Sequence, residues 1–173
     1  MTTLEVANKL VELCRAGKNL ECIDALYSKD IVSVEPMAMP PMPAEMRGIA
    51  AVKPGRTTGD IGAAIQSFVE PQHMSVVRDF CGHGLGRLFH DEPNIVHIGR
   101  AGEGVVLKPG MLFTIEPMIN LGRPHVKVLS DGWTAVTRDR SLSAQFEHTV
   151  GVTKDGCEVF TISPKGRHKP PYV

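Results

Sequence analysis

Neither sign of charge is in excess in this 173-residue chain: 19 basic and 19 acidic residues leave a formal net charge of zero. A protein that grips nucleic acid through its phosphates needs a basic surplus, so nucleic acid is not expected as a partner. The same neutrality offers little electrostatic protection against self-association. No apolar run reaches the roughly 18 residues of a membrane span, and no membrane partner is expected. A secretion signal is not expected either, because Glu5 and Lys9 interrupt the first apolar stretch and no small-residue cleavage site follows. None of the four cysteines, Cys14, Cys22, Cys81 and Cys157, forms a C-x-x-C pair. They read as reduced, buried thiols in a cytoplasmic protein.

What is present divides into two stretches and a tail. Apolar residues make up 42% of the chain, enough for a core in one domain or two very small ones. In residues 1–51, Thr2 and Glu5 form a capping-box signature before Val6, Leu10, Leu13 and Cys14 at helical spacing, and Gly17 marks a stop. Asn19 can cap a second short helix, and residues 30–34 read as a strand. Pro36, Pro40, Pro41 and Pro43 then exclude a helix interior or central strand. Met37, Met39 and Met42 between them read as loosely packed fillers or as the wall of a groove.

The second stretch, residues 52–162, opens on the Lys53-Pro54-Gly55 turn. Thr57 or Thr58 caps a helix that places Ile61, Ala64, Ile65, Phe68 and Val69 on one face and ends at Pro71. Strands are expected over 74–80, 105–107, 112–115 and 144–152, with a hairpin of 126–129 and 133–137 across Asp131-Gly132. This predicts an α+β fold with an antiparallel sheet. Residues 163–173 read as a flexible basic tail.

Three side chains stand out for chemistry. His83 closes a strand in Cys81-Gly82-His83-Gly84-Leu85-Gly86, where the glycines allow a close approach to the imidazole. Glu116 ends a strand before Pro117, and Glu147 lies in the 144–152 strand on the face opposite Phe146, His148 and Val150. One imidazole and two carboxylates suit Zn, Mn, Fe or Co. Each also has a plain reading, since a lone strand glutamate is ordinarily solvated and a Gly-flanked histidine ordinarily belongs to a turn.

Longer blocks bear on that choice. Gly82-His83-Gly84-Leu85-Gly86 is followed by Phe89-His90-Asp91-Glu92-Pro93. Lys108-Pro109-Gly110-Met111 leads into Thr114-Ile115-Glu116-Pro117. Asp131-Gly132-Trp133-Thr134 precedes Asp139-Arg140-Ser141-Leu142-Ser143-Ala144-Gln145-Phe146-Glu147-His148-Thr149. In content, order and spacing these blocks resemble the C-terminal half of methionine aminopeptidases, the pita-bread metallopeptidases. The resemblance implies half of a pita-bread fold, a curved antiparallel sheet with one or two helices, preceded by a short helical segment and strand. It assigns His83, Glu116 and Glu147 to three of five metal-ligand positions, the other two being aspartates. His90 matches a histidine that contacts the scissile peptide, and Phe89 and Trp133 match residues near the methionine pocket. The implied reaction is removal of an N-terminal methionine by a metal-activated water, with Glu116 taking up the proton. Peptide N-termini are the implied partners.

The aspartate pair finds no match. Residues 1–51 instead resemble the opening of nuclear-transport-factor-2-like, polyketide-cyclase-like proteins, through Val6-Ala7-Asn8-Lys9-Leu10, Leu26-Tyr27-Ser28, Asp30-Ile31-Val32-Ser33-Val34-Glu35 and Arg47-Gly48-Ile49. The chain thus reads as a fusion or chimera of two truncated domains joined near residue 52. Three ligands and water make one weak metal site at best, so little or no activity is expected from the chain alone. The alternatives are a noncatalytic fold with relic ligands, a homodimer with a composite metal site, and a small-molecule pocket inherited from the first stretch.

Overall fold

Helix α1, Ala44–Ala50, lies against helix α2, Thr58–Val69. Gly48 makes the approach possible, since a Cβ there would stand 2.8 Å from Ile65 Cδ1. The computed structural model describes Lys9, Glu12 and residues 44–163. The chain divides into two compact units, Met1–Glu35 and Pro36–Val173. In the first, Lys9 and Glu12 are helical and their Nζ and Oε2 atoms are 3.1 Å apart. The remaining expectations for residues 1–43 and for the tail from 164 onward fall outside the described residues.

Helix α2 starts where its sequence says it should. Thr57 has extended backbone angles, its hydroxyl accepts from the Asp60 N–H, and the Asp60 carboxylate accepts from the Thr57 N–H at 2.7 Å. This reciprocal pair satisfies two donors that every helix start leaves open, and such a cap is worth about 1 kcal/mol. Ile61, Ile65 and Val69 are fully buried beneath the helix. Pro71 falls inside a 3-10 turn, Glu70–Gln72, which ends at His73 with a left-handed φ of 59°.

The strands follow in chain order: β1 Ser75–Val76, β2 Gly82–Gly84, β3 Asp91–Ile95, β4 Leu112–Ile115, β5 Met118–Asn120, β6 Val126–Val128, β7 Ala135–Thr137, β8 Ser143–Gln145, β9 His148–Val152 and β10 Cys157–Val159. They form a five-stranded antiparallel sheet β10-β9-β4-β2-β3, a three-stranded sheet β1-β5-β8 and the β6-β7 hairpin. The core lies between α2 and the five-stranded sheet, with Phe113, Ile115, Val150 and Ile95 fully buried. The unit is α+β, as its sequence patterning predicts.

Three expected strands are different in the structure, and the one expected over 74–80 forms only at Ser75–Val76. Residues 105–107 join no sheet, and only Val106 bridges to Thr57. Their polar groups serve the start of α2 instead: the Thr58 N–H donates to the Val105 carbonyl and the Leu107 N–H to the Arg56 carbonyl. The expected strand over 144–152 is two strands in two sheets, interrupted at Phe146 and Glu147. Its partner is interrupted at the same level, at Glu116 and Pro117. Register continues across the gap, with Ile115 opposite His148 on one side and Met118 opposite Gln145 on the other. Glu116 therefore stands opposite Glu147 at a crease shared by both sheets.

Candidate metal centre

The crease brings two carboxylates alongside His83 on β2. One ligand atom from each of His83, Glu116 and Glu147 lies within 4.8 Å of the other two. His83 is in the middle of its strand, not at the end that its sequence suggests. It is buried because both flanking glycines admit neighbouring backbone: a Cβ on Gly82 would collide with the Thr114 carbonyl, and one on Gly84 with the Glu92 carbonyl. The close approach expected at these glycines is thus made by the adjacent strands themselves.

Hydrogen bonds settle the orientation of the imidazole. His83 Nδ1 is 3.0 Å from the Gly84 carbonyl, which can only accept, so Nδ1 carries a proton. Nε2 then faces Glu116 Oε1 at 3.7 Å. With Nε2 unprotonated, two lone-pair atoms face one another across that gap, and a proton or a cation between them relieves the conflict. The donor set therefore fits a divalent cation, and the bond from Nδ1 to a carbonyl is the usual support for a ligating histidine.

Glu116 is held on several sides. The Thr114 hydroxyl donates to Glu116 Oε1 at 2.7 Å while accepting from the His83 N–H at 3.0 Å, so one side chain ties both candidate ligands together. The Gln145 amide donates to Glu116 Oε2 at 3.2 Å. The Glu116 N–H donates to His97 Nε2 at 3.1 Å. His97 is only 3% exposed, and burial pulls its pKa down from 6.5 to about 4, so it stays neutral near pH 7.

Glu147 stands at the rim. Desolvation of its carboxyl raises its pKa, the Glu116 charge raises it further, and His83 and His90 oppose both effects. His90 joins the same cluster, its ring centroid 4.4 Å from that of His83, and Phe89 packs at 4.7 Å from His90 and 5.4 Å from His83. Both Phe89 and His90 are exposed, Phe89 to 72%. Trp133 is placed differently: it sits at the turn of the β6-β7 hairpin and is 89% exposed. Sequence reasoning missed His97, Thr114 and Gln145 as site residues. Thr114 and Gln145 lie in the blocks already quoted, two residues before each glutamate, whereas a single histidine after β3 carries no signal of its own.

A family model described as metallopeptidase family M24 matches residues 43–154, beginning nine residues before the junction expected near 52. The methionine aminopeptidase of Rickettsia prowazekii (strain Madrid E) is 61% identical over 131 residues, which are 75% of this chain and 50% of that protein. The methionine aminopeptidase of Escherichia coli (strain K12) is 58% identical over 111 residues, 64% of this chain and 42% of that protein. Among solved structures, the Rickettsia prowazekii methionine aminopeptidase has a TM-score of 0.67 at 60% identity and covers 68% of this chain and 48% of its own. The Thermotoga maritima methionine aminopeptidase has a TM-score of 0.67 at 46% identity, over 68% of this chain and 47% of its own. The chain spans about half the length of the curated relatives it matches. Its helices and antiparallel sheets correspond to part of a pita-bread fold, as the resemblance of its motifs implies. The chain belongs to metallopeptidase family M24.

Proposed function

We propose that this chain is a methionine-aminopeptidase-like protein in which His83, Glu116 and Glu147 hold one divalent cation. By itself it removes N-terminal methionine slowly or not at all. The observation that carries the reading is the convergence of those three ligand atoms within 4.8 Å. A divalent cation bound there would supply Lewis acidity and lower the pKa of water. Glu116, fixed by Thr114 and Gln145, is placed to accept a proton beside His83. His90, exposed and against His83, can hydrogen-bond a peptide group, and Phe89 next to it offers an apolar contact for a methionine side chain. Trp133 is assigned to the same pocket by resemblance alone.

The weak activity follows from the ligand count. Methionine aminopeptidases resembling this chain use two further aspartates, and no pair here matches them. Cobalt, manganese, iron and zinc all suit the donor set. We also divide the chain near residue 52 and treat residues 1–51 as a nuclear-transport-factor-2-like segment fused to the metallopeptidase part, residues 52–162; the family match itself begins earlier, at residue 43. No described helix is long and apolar enough to cross a membrane, and a cytoplasmic setting with peptide N-termini as substrates belongs to the same reading.

Calorimetric titration with Co or Mn tests the site. One saturable binding event is expected, and His83→Ala removes it. If no binding depends on His83, the metal reading fails. Hydrolysis of a Met-Ala-Ser peptide is expected to fall far below that of a full-length family enzyme. A matching rate that disappears in His83→Ala would overturn the claim of weak activity.

A further inference from the structure

Glu116 occupies an awkward position for its main chain. It follows the last residue of β4 and precedes Pro117, which has no N–H to donate. The residue opposite, Glu147, lies in the gap between β8 and β9. At this crease the Glu116 N–H is the last donor before Pro117, and a donor held away from water costs free energy unless it is paired.

Its partner comes from beyond the neighbouring strand. His97 follows β3 by two residues, and β2 lies between β3 and β4 in the sheet. Ile95 pairs with Gly82 at the start of β2, so the chain past Ile95 runs beyond that end. From there His97 Nε2 accepts the Glu116 N–H at 3.1 Å. Because Nε2 accepts, the proton of this imidazole sits on Nδ1. The same glutamate turns its carboxylate toward His83 Nε2 on one side and Gln145 on the other.

We propose that His97 is a positioning residue: by accepting the Glu116 N–H at the crease, it fixes the backbone from which the Glu116 carboxylate reaches His83. It touches neither the cation nor a substrate. The proposal rests on the metal-site reading for its consequence, while the anchoring itself is independent of any metal. A histidine that merely filled space would be replaceable by leucine. One that anchors must keep an acceptor at the reach of Nε2, which glutamine supplies and the shorter asparagine does not.

The test uses the full 173-residue chain and its His97→Gln, His97→Asn and His97→Leu variants. Without metal, hydrogen exchange of the Glu116 amide is followed by NMR. The parent and His97→Gln are expected to protect that amide, while His97→Asn and His97→Leu are expected to release it. With Co as the probe, calorimetry should show affinity near the parent value for His97→Gln and a loss of about 10–100-fold for the other two. Should His97→Leu fail to fold, the Gln and Asn variants still decide the matter. Equal Glu116 exchange in parent, Gln and Asn proteins overturns the anchoring. Equal cobalt affinity in parent and His97→Asn overturns its consequence for the site. A parent that binds no cobalt defeats the metal reading alone, and the amide comparison then decides the role of His97.

Discussion

The strand pair β4-β9 and the hairpin β6-β7 are both short antiparallel ladders, but they are supported in opposite ways. β4 and β9 lie inside the five-stranded sheet, with Phe113, Ile115 and Val150 fully buried against α2 and its surroundings. Among the described residues the hairpin pairs only with itself, and Lys127, Val128, Ala135 and Val136 are all exposed. Its turn is held by one carboxylate: Asp131 accepts from the Trp133 and Thr134 N–H groups and from the Thr134 hydroxyl. At the crease end of the first pair, Glu116 and Glu147 come within ångströms of His83 on the adjacent β2, and the second presents Trp133 to solvent. Candidate ligands are thus fixed beside the core, while Trp133, one of the residues that the resemblance sets near the substrate, sits on a locally held arm.

If that contrast is real, Phe113→Ala should have the largest effect. Emptying this fully buried ring position in the core should cost about 3–5 kcal/mol in denaturant unfolding. A loss below 1 kcal/mol would mean that the core does not carry the sheet.

The second test uses acid. Unfolded His97 takes up its proton as pH falls through 6.5, whereas folded His97 does so only near 4. The unfolded state therefore binds more protons in this window, and stability falls as pH drops from 6.5 toward 4. The share due to His97 is on the order of 3 kcal/mol at 1.36 kcal/mol per unit. His97→Gln should flatten the stability-against-pH curve over that range, and an unchanged slope would show that another group carries it.

The smallest effect is expected from Asp131→Ala. It should speed amide exchange within β6-β7 and leave the global denaturation midpoint in place, because surface changes rarely move it. A large drop in midpoint would show that the hairpin supports the core after all.

Much of this arrangement was legible in the chain and some was not, for local reasons. The α2 cap was visible because Thr57 and Asp60 act within one turn of each other. Glu116 was marked by Pro117, which has no N–H to give to a ladder. The break at Phe146 and Glu147 was invisible, since nothing in 144–152 forbids a continuous strand. That break belongs to the partner strand, through the register that sets Glu147 opposite Glu116. Helix α1 was masked by the proline-rich run before it and by Gly48 within it, a poor helix former that the packing of Ile65 requires. Residues 105–107 carried a strand's composition, but the start of α2 claimed their carbonyls. The blocks of resemblance pointed to His83, Glu116 and Glu147, while pattern alone left each with an ordinary reading.

The unbroken register across the crease has a practical meaning for anyone editing this protein. Both carboxylates hang from residues paired on either side of the fold line, by Ile115 with His148 and by Met118 with Gln145. The chain between β5 and β8 leaves this frame and returns to it, carrying the hairpin on the way. Residues can be added to or trimmed from the β6-β7 tip without changing which amino acids face each other at the fold line. A deletion of one residue inside β9 would instead turn its whole side-chain pattern over and carry Glu147 away from Glu116. The length of the excursion's tip is thus uncoupled from the pairing at the crease, while the length of β9 is not.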